Sequence, residues 1–370
     1  MRGQANPQPE FVTFLSPESV VPPDHPLRAI KRRVDSVLQQ LHPLFERMYA
    51  EEGRPSIPPE RLLKAKLLIA LYSVRSETLF CEQLHYNLLF RWFLDMNLTE
   101  ASFVQSAFSK NQERLLQHEV ARQFFRAVYE MSRQEDWASD DHFTVDGTLI
   151  ESVASLKSFV PREAGVDKTD DDPGNPSVDF HGQKRGNATH QSRTDPEARL
   201  YRKGKGKEAR LYLAAHALME NRHGLLADVQ VTSATETTET KMALCQLKRQ
   251  RARSGIPPAS VGADKNYHNA EFVRGCRRRG IAPHVAEVTN RKVVGLDRRT
   301  TRRVSYAVSQ RKRKRVEEIF GWMKTVGGLR RSRYVGIART GLWAYFVGAA
   351  YNLVRMVRLG LGPPGVVAAH

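Results

Sequence analysis

Apolar positions recur at helical spacing through the first third of the chain. In "IPPERLLKAKLLIALYSVRS", Pro58 and Pro59 stand at a helix start, and Leu63, Leu67, Leu71 and Val74 follow three or four residues apart. Ser76 is placed to cap a second helix through Leu84, and Ser102 with Gln105 fits a capping box for another. These spacings predict an all-helical domain over 28–135, preceded by an irregular, Pro-rich segment over 1–27.

From about residue 141 the period shortens to that of strands. "HFTVDGTLIES" (142–152) is rich in strand formers, and a charged, Pro/Gly-rich insertion follows over 161–208. "EARLYLAAHALME" and "GLLADVQVTSA" read as two strands joined by a turn at Asn221 to Gly224. A helix follows over roughly 237–252, then "ASVGADKNY" as a strand ending at Asp264 with a helix after it, then "IAPHVAEV" as a strand. A long helix begins near Ser309. Three strands followed by helix and strand in alternation predict an α/β domain over 141–358, a mixed sheet flanked by helices, with a tail over 359–370.

Charge changes this picture most. The 370 residues carry a net +18, and residues 271–340 hold 20 Lys and Arg against 5 Asp and Glu. An excess gathered in one stretch points to a polyanionic partner, nucleic acid first, rather than to general solubility. The three cysteines are far apart and read as reduced thiols, neither disulfide frame nor zinc site. No apolar leader opens the chain. "GLWAYFVGAAYNLVRMV" (341–357) is interrupted by Asn352 and Arg355, so it predicts a docking helix rather than a membrane span. A cytoplasmic protein is expected.

Asp146 lies among strand formers, where a carboxylate must be solvated or paired. Asp-Gly is also a favoured hairpin turn, so the stretch reads either as two strands about a turn or as one central strand presenting a metal-binding acid. "DKTDDDPGNPSVD" lacks the Gly and Glu positions of a calcium loop, and "RKGKGKE" lacks those of a phosphate loop. His181 and His190, in the same insertion, read as surface histidines.

On a helical projection of "SQRKRKRVEEIFGWMK" (309–324), Val316, Ile319, Phe320 and Met323 form a core face. Gln310, Arg313, Glu317 and Lys324 form a stripe along its edge, while Glu318 points away and could pair with Lys314. An Arg313–Glu317 ion pair accounts for the stripe as well as catalysis does. With Asp146 on the first strand and Asp264 ending the fourth, however, Glu317 would complete three carboxylates of the kind that hard divalent cations require. Two such ions can activate the attacking oxygen and stabilise the leaving oxygen of a phosphodiester.

"VDGTLIES" with "SLKSF", then "GADKNY", then Arg313, Glu317 and Lys324 at the spacing R-x-x-x-E-x-x-x-x-x-x-K, together resemble the motifs of DDE transposases of bacterial insertion sequences, of the insertion-sequence-five type. The resemblance spans about residues 10–358. Gln310 stands where that signature has Tyr, and Asn266 where the second motif commonly has Gly.

The resemblance implies a ribonuclease H-like catalytic domain, with Asp146, Asp264 and Glu317 as catalytic acids holding two Mg²⁺ ions, for which Mn²⁺ can substitute. It further implies double-stranded DNA as partner, a homo-oligomer on that DNA, and a helical domain suited to binding element ends. Arg311, Lys312, Arg313, Lys314, Arg315 and Lys324 are the expected DNA contacts. A nuclease that does not join strands, or a silent DNA-binding regulator, are the alternatives.

Overall fold

The computed structural model describes residues 16–49, 56–117, 119–162, 179–180, 183–184, 186–202, 208–235, 238–288, 292–293, 296 and 298–361. Its N-terminal part is helical: α1 (Pro17–Val20), α2 (Pro26–Glu46), α3 (Pro59–Leu71), α4 (Glu77–Tyr86), α5 (Leu88–Phe93), α6 (Gln105–Gln117) and α7 (Val120–Gln134). Pro59 opens α3, where its missing N–H leaves no intrahelical bond unmade. Ser76 Oγ caps α4 by accepting from the Leu79 N–H at 3.0 Å. The expected capping box at Ser102 does not form. The helix begins at Gln105, whose side chain donates to Ser109 one turn ahead at 2.9 Å instead of reaching back.

The remaining elements are β1 (His142–Glu151), β2 (Phe159–Pro161), β3 (Asp179–Phe180), β4 (Gln183–Lys184), β5 (His190–Ser192), β6 (Arg199–Arg202), β7 (Ala209–Glu220), β8 (Leu226–Ser233), α8 (Thr238–Ser254), β9 (Ser260–Ala263), α9 (Ala270–Arg277), β10 (Ala282–Val285), α10 (Arg298–Thr301), α11 (Val304–Arg313), α12 (Val316–Thr325) and α13 (Ile337–Gly360). The sheet runs β10-β9-β1-β7, with β6 and β8 both pairing with β7. β10, β9 and β1 are parallel, whereas β1, β7 and β8 are antiparallel. This mixed sheet between helices is the ribonuclease H-like arrangement.

β1 passes straight through Asp146 and Gly147, which pair with Ala217 and His216. The Asp-Gly hairpin is thereby excluded, because β7 holds the whole segment extended. The turn falls where Gly224 supplies a φ of +74°, between β7 and β8. Along β1 the faces alternate. Thr148 accepts a hydrogen bond from Lys324 of α12, and Gly262, level with Thr144, faces Ser309 of α11. Gly147, on the opposite face, meets α8.

α13 is a docking helix, as its polar interruptions suggested. Asn352 hydrogen-bonds both the N–H and C=O of Leu226, at 2.8 and 2.9 Å, and Arg355 Nε donates to the His223 carbonyl. Among the described residues no helix is long and apolar enough to cross a membrane. α7 packs on α13 through Phe124 with Phe346 and Phe125 with Tyr345, so the helical part and the sheet share one core.

Two expectations need correction. His190 is buried and stacks on Phe159 at 5.5 Å between ring centroids, because β5 pairs with β2 and turns it inward; His181 lies outside the described residues. The single helix from Ser309 is two helices, α11 and α12. Between them the backbone bonds three residues back, from Arg315 to Lys312, Glu317 to Lys314 and Glu318 to Arg315. This tightening lets α11 stay tied to β10 through Gln310 while α12 packs Val316, Ile319, Phe320 and Met323 into the core.

Candidate active site

The parallel register pairs His142 with Ser260 and Thr144 with Gly262; Asp146 follows in β1 and Asp264 directly after β9, near enough for the Asp264 charge to act on Asp146. Each carboxylate is anchored by one oxygen. Asp146 Oδ1 accepts from the Gly147 N–H at 2.8 Å, and Asp264 Oδ1 accepts from the Asn266 N–H at 2.9 Å. Asn266 therefore sits in a tight turn after β9 and has no left-handed φ, so the Gly of the usual motif is not needed here. Burial, joined by the charges of Asp264 and Glu239, pushes the Asp146 carboxyl up to about 7, against the opposing pull of the Gly147 N–H and Arg313.

Glu239 was not anticipated. It lies in the first turn of α8, and its Oε1 is 3.1 Å from where a Cβ on Gly147 would stand. Burial and the Asp264 charge hold its carboxyl above the usual range. Tyr267, buried beside the same acids, has its hydroxyl pKa pushed well up by burial and by the charges of Glu239, Asp146 and Asp264. In the sequence Glu239 looks like any acid favoured at a helix N-terminus. Only the fold turns it inward.

The basic side of the site comes from α11 and α12. Arg313 lies close enough to Asp146 to favour its charged form. Lys324 Nζ donates to Thr148 Oγ1, two residues beyond Asp146 on the same face. Gln310, in place of the signature Tyr, donates to the His284 carbonyl at 2.6 Å and accepts from Arg313 Nε at 3.3 Å, so it fixes both helix and guanidinium. Glu317 is exposed in the first turn of α12, and no ion pair joins it to Arg313 among the described residues. Glu318 pairs with Arg355 of α13 at 3.5 Å rather than with Lys314, because the tightened turn swings it toward α13. Arg311, Lys314 and Arg315 are exposed, Lys312 half-buried, and none of the four enters an ion pair among the described residues.

Among the described residues no three acidic, His or Cys side chains are drawn together closely enough to hold a metal ion. Like charges facing one another keep apart until a cation compensates them. The donor set nevertheless fits a hard divalent ion. Asp146 and Asp264 each fix one oxygen on the backbone and keep a second oxygen for a ligand.

A ribonuclease H-like sheet with one aspartate inside β1 and a second directly after β9, flanked by cations, is the frame of a class of phosphodiester-processing enzymes. Residues 138–353 match the family described as transposase DDE domain, and residues 15–114 match a transposase domain. The chain belongs to the DDE transposase family. Among solved structures it is similar to the piggyBac transposase synaptic complex with hairpin DNA, at 10% identity over 92% of this chain and 83% of that one, with a TM-score of 0.38. It is also similar to the Mos1 transposase paired-end complex with left transposon end, at 9% identity over 66% of each chain, with a TM-score of 0.20. No curated protein matches significantly.

Proposed function

We propose that this transposase is of the insertion-sequence-five type, binds the terminal inverted repeats of its own element, cleaves DNA at their ends and joins the freed 3′-hydroxyl to target DNA. The observation that supports this reading is the proximity of Asp146, in β1, to Asp264, directly after the neighbouring parallel strand β9, in a family defined by such acids. Asp146, Asp264 and Glu317 would hold Mg²⁺ or Mn²⁺, whose chemistry is to activate a water or 3′-hydroxyl and to stabilise the leaving oxygen. Arg313 and Lys324 hold the phosphate that the acids would otherwise repel. Arg311, Lys312, Lys314 and Arg315 track the flanking duplex, and the helices over 28–135 bind element ends. The working form is a homo-oligomer that pairs two ends, acting on DNA in the bacterial cytoplasm.

The test is cleavage of terminal-repeat DNA by purified protein with Mg²⁺. Asp146→Asn is expected to abolish cleavage while binding stays intact or tightens, since a negative charge is removed. Cleavage by that variant at the wild-type rate overturns the reading.

A further inference from the structure

α11 is held to the sheet through Tyr306, Ser309 and Gln310. Ser309 lies over β9, its Oγ 3.0 Å from where a Cβ on Gly262 would stand. The Tyr306 hydroxyl donates to the Val285 carbonyl at 2.9 Å, and its ring meets the His284 ring edge-on at 5.9 Å between centroids. One turn further, Gln310 Nε2 donates to the His284 carbonyl at 2.6 Å. Tyr306 and Gln310 are four residues apart, so they stand one above the other on one helix face. Taking consecutive carbonyls of β10, they fix both the rotation of α11 and its height on the sheet.

The other end of the Gln310 amide faces Arg313, one turn ahead, and Gln310 Oε1 accepts from Arg313 Nε at 3.3 Å. Arg313 is half-buried and is the last residue of α11, directly before the tightened turn into α12. Among the described residues no hydrogen bond or ion pair uses its two terminal nitrogens. A guanidinium tied down at Nε keeps those two Nη groups as a planar fork, the shape that matches two oxygens of a phosphate.

An amide suits both of these partners. The His284 carbonyl needs a donor and Arg313 Nε needs an acceptor, and a Gln side chain carries one of each. A carboxylate at the same place lacks the donor, and an apolar side chain lacks both.

We propose that Gln310 is a positioning residue of the phosphoryl-transfer site. It ties Arg313 to the His284 carbonyl of β10, so that the free Nη groups meet a phosphate in a set orientation. Gln310 acts through Arg313 and not on DNA. The proposal rests on the assignment of Arg313 to a phosphate and extends it.

The test is single-turnover cleavage of terminal-repeat DNA with Mg²⁺ by the full-length chain, with DNA affinity measured alongside. Gln310→Met keeps the length of the side chain and removes both hydrogen bonds. It is expected to slow cleavage at least about tenfold with affinity unchanged, the scale on which a binding group misplaced by about an ångström acts. Arg313→Lys keeps the charge but loses Nε and the fork, and should slow cleavage as much or more. In the Arg313→Lys background, Gln310→Met should then cost nothing further, because the two residues act as one unit. A purely structural role would lower the rate by the same factor in either background. Should Gln310→Met not fold, Gln310→Glu, which can accept from Arg313 but cannot donate to β10, is carried through the same cycle with the same expected coupling. Losses that multiply, or a Gln310 variant that cleaves at the wild-type rate, overturn the Gln310 assignment and leave the transposase site standing. Arg313→Lys at the wild-type rate overturns the phosphate role of Arg313, and this proposal with it. No cleavage by the unsubstituted chain overturns the reading of the site itself.

Discussion

Asp264, directly after β9, lies close enough to Asp146 of the neighbouring strand β1 that its charge adds to burial in raising the cost of ionising Asp146. Asp146 titrates at about 7 in the folded chain, against about 3.9 when unfolded. Its folded value is the raised one, so between these values the native state holds a proton that the unfolded chain releases. Stability in EDTA should therefore fall as pH rises from about 4 to about 7, with the full penalty present above 7. Asp146→Asn should stabilise the metal-free protein at pH 8, by an amount on the order of a few kcal/mol, and not at pH 4. Urea denaturation at the two pH values measures this; an equal effect at both would rule out the raised value.

Glu317 and Glu318 are neighbours with different surroundings. Glu317 is exposed at the start of α12, while Glu318 is committed to Arg355. Glu317→Gln should remove both hydrolysis and strand transfer. Glu318→Gln should retain most activity, with a stability loss of about 0.2–1 kcal/mol from an exposed ion pair. The opposite pattern in strand-transfer assays would show that α12 presents the wrong acid.

Among the described residues, Arg311, Lys312, Lys314 and Arg315 have no acidic partner, as a phosphate-binding surface requires. Binding to duplex DNA should weaken with salt at a log–log slope of about −0.9 per phosphate neutralised. Replacing Arg311 and Lys312 by Ala should flatten the slope by about one unit for each phosphate that is no longer neutralised. An unaltered slope in fluorescence anisotropy would exclude these two from the DNA interface.

Lys66 is buried where α3 meets the chain leading into α13, with Glu77 at 2.6 Å, Gln112 Oε1 at 2.7 Å and the Tyr334 hydroxyl at 3.3 Å. Burial pushes the Glu77 carboxyl up, but the charge and hydrogen bond of Lys66 pull it below its ordinary value. Lys66→Met strands that carboxylate and should cost about 3–5 kcal/mol in urea denaturation. The double variant Lys66→Met with Glu77→Leu should recover much of the loss. If the single and double variants are equally unstable, packing rather than charge decides this contact.

What the sequence determined by itself was local or carried by spacing. The Pro59 start, the Ser76 cap, the turn at Gly224 and the buried face of α12 all follow from preferences that act within a few residues. Strand-helix order was enough for a mixed sheet flanked by helices, and motif spacing for the resemblance to DDE transposases, which implied the ribonuclease H-like fold. Tertiary structure decided what depends on neighbours distant in sequence. Asp146-Gly147 is continuous strand because β7 pairs along its whole length, although the dipeptide alone favours a turn. The helix from Ser309 divides because α11 and α12 answer to different strands, and with the division Glu318 finds Arg355 instead of Lys314. Glu239 comes against Gly147 from the first turn of α8, near enough for its charge to act on Asp146, a proximity set by the packing of a helix on the sheet, which no period along the chain encodes.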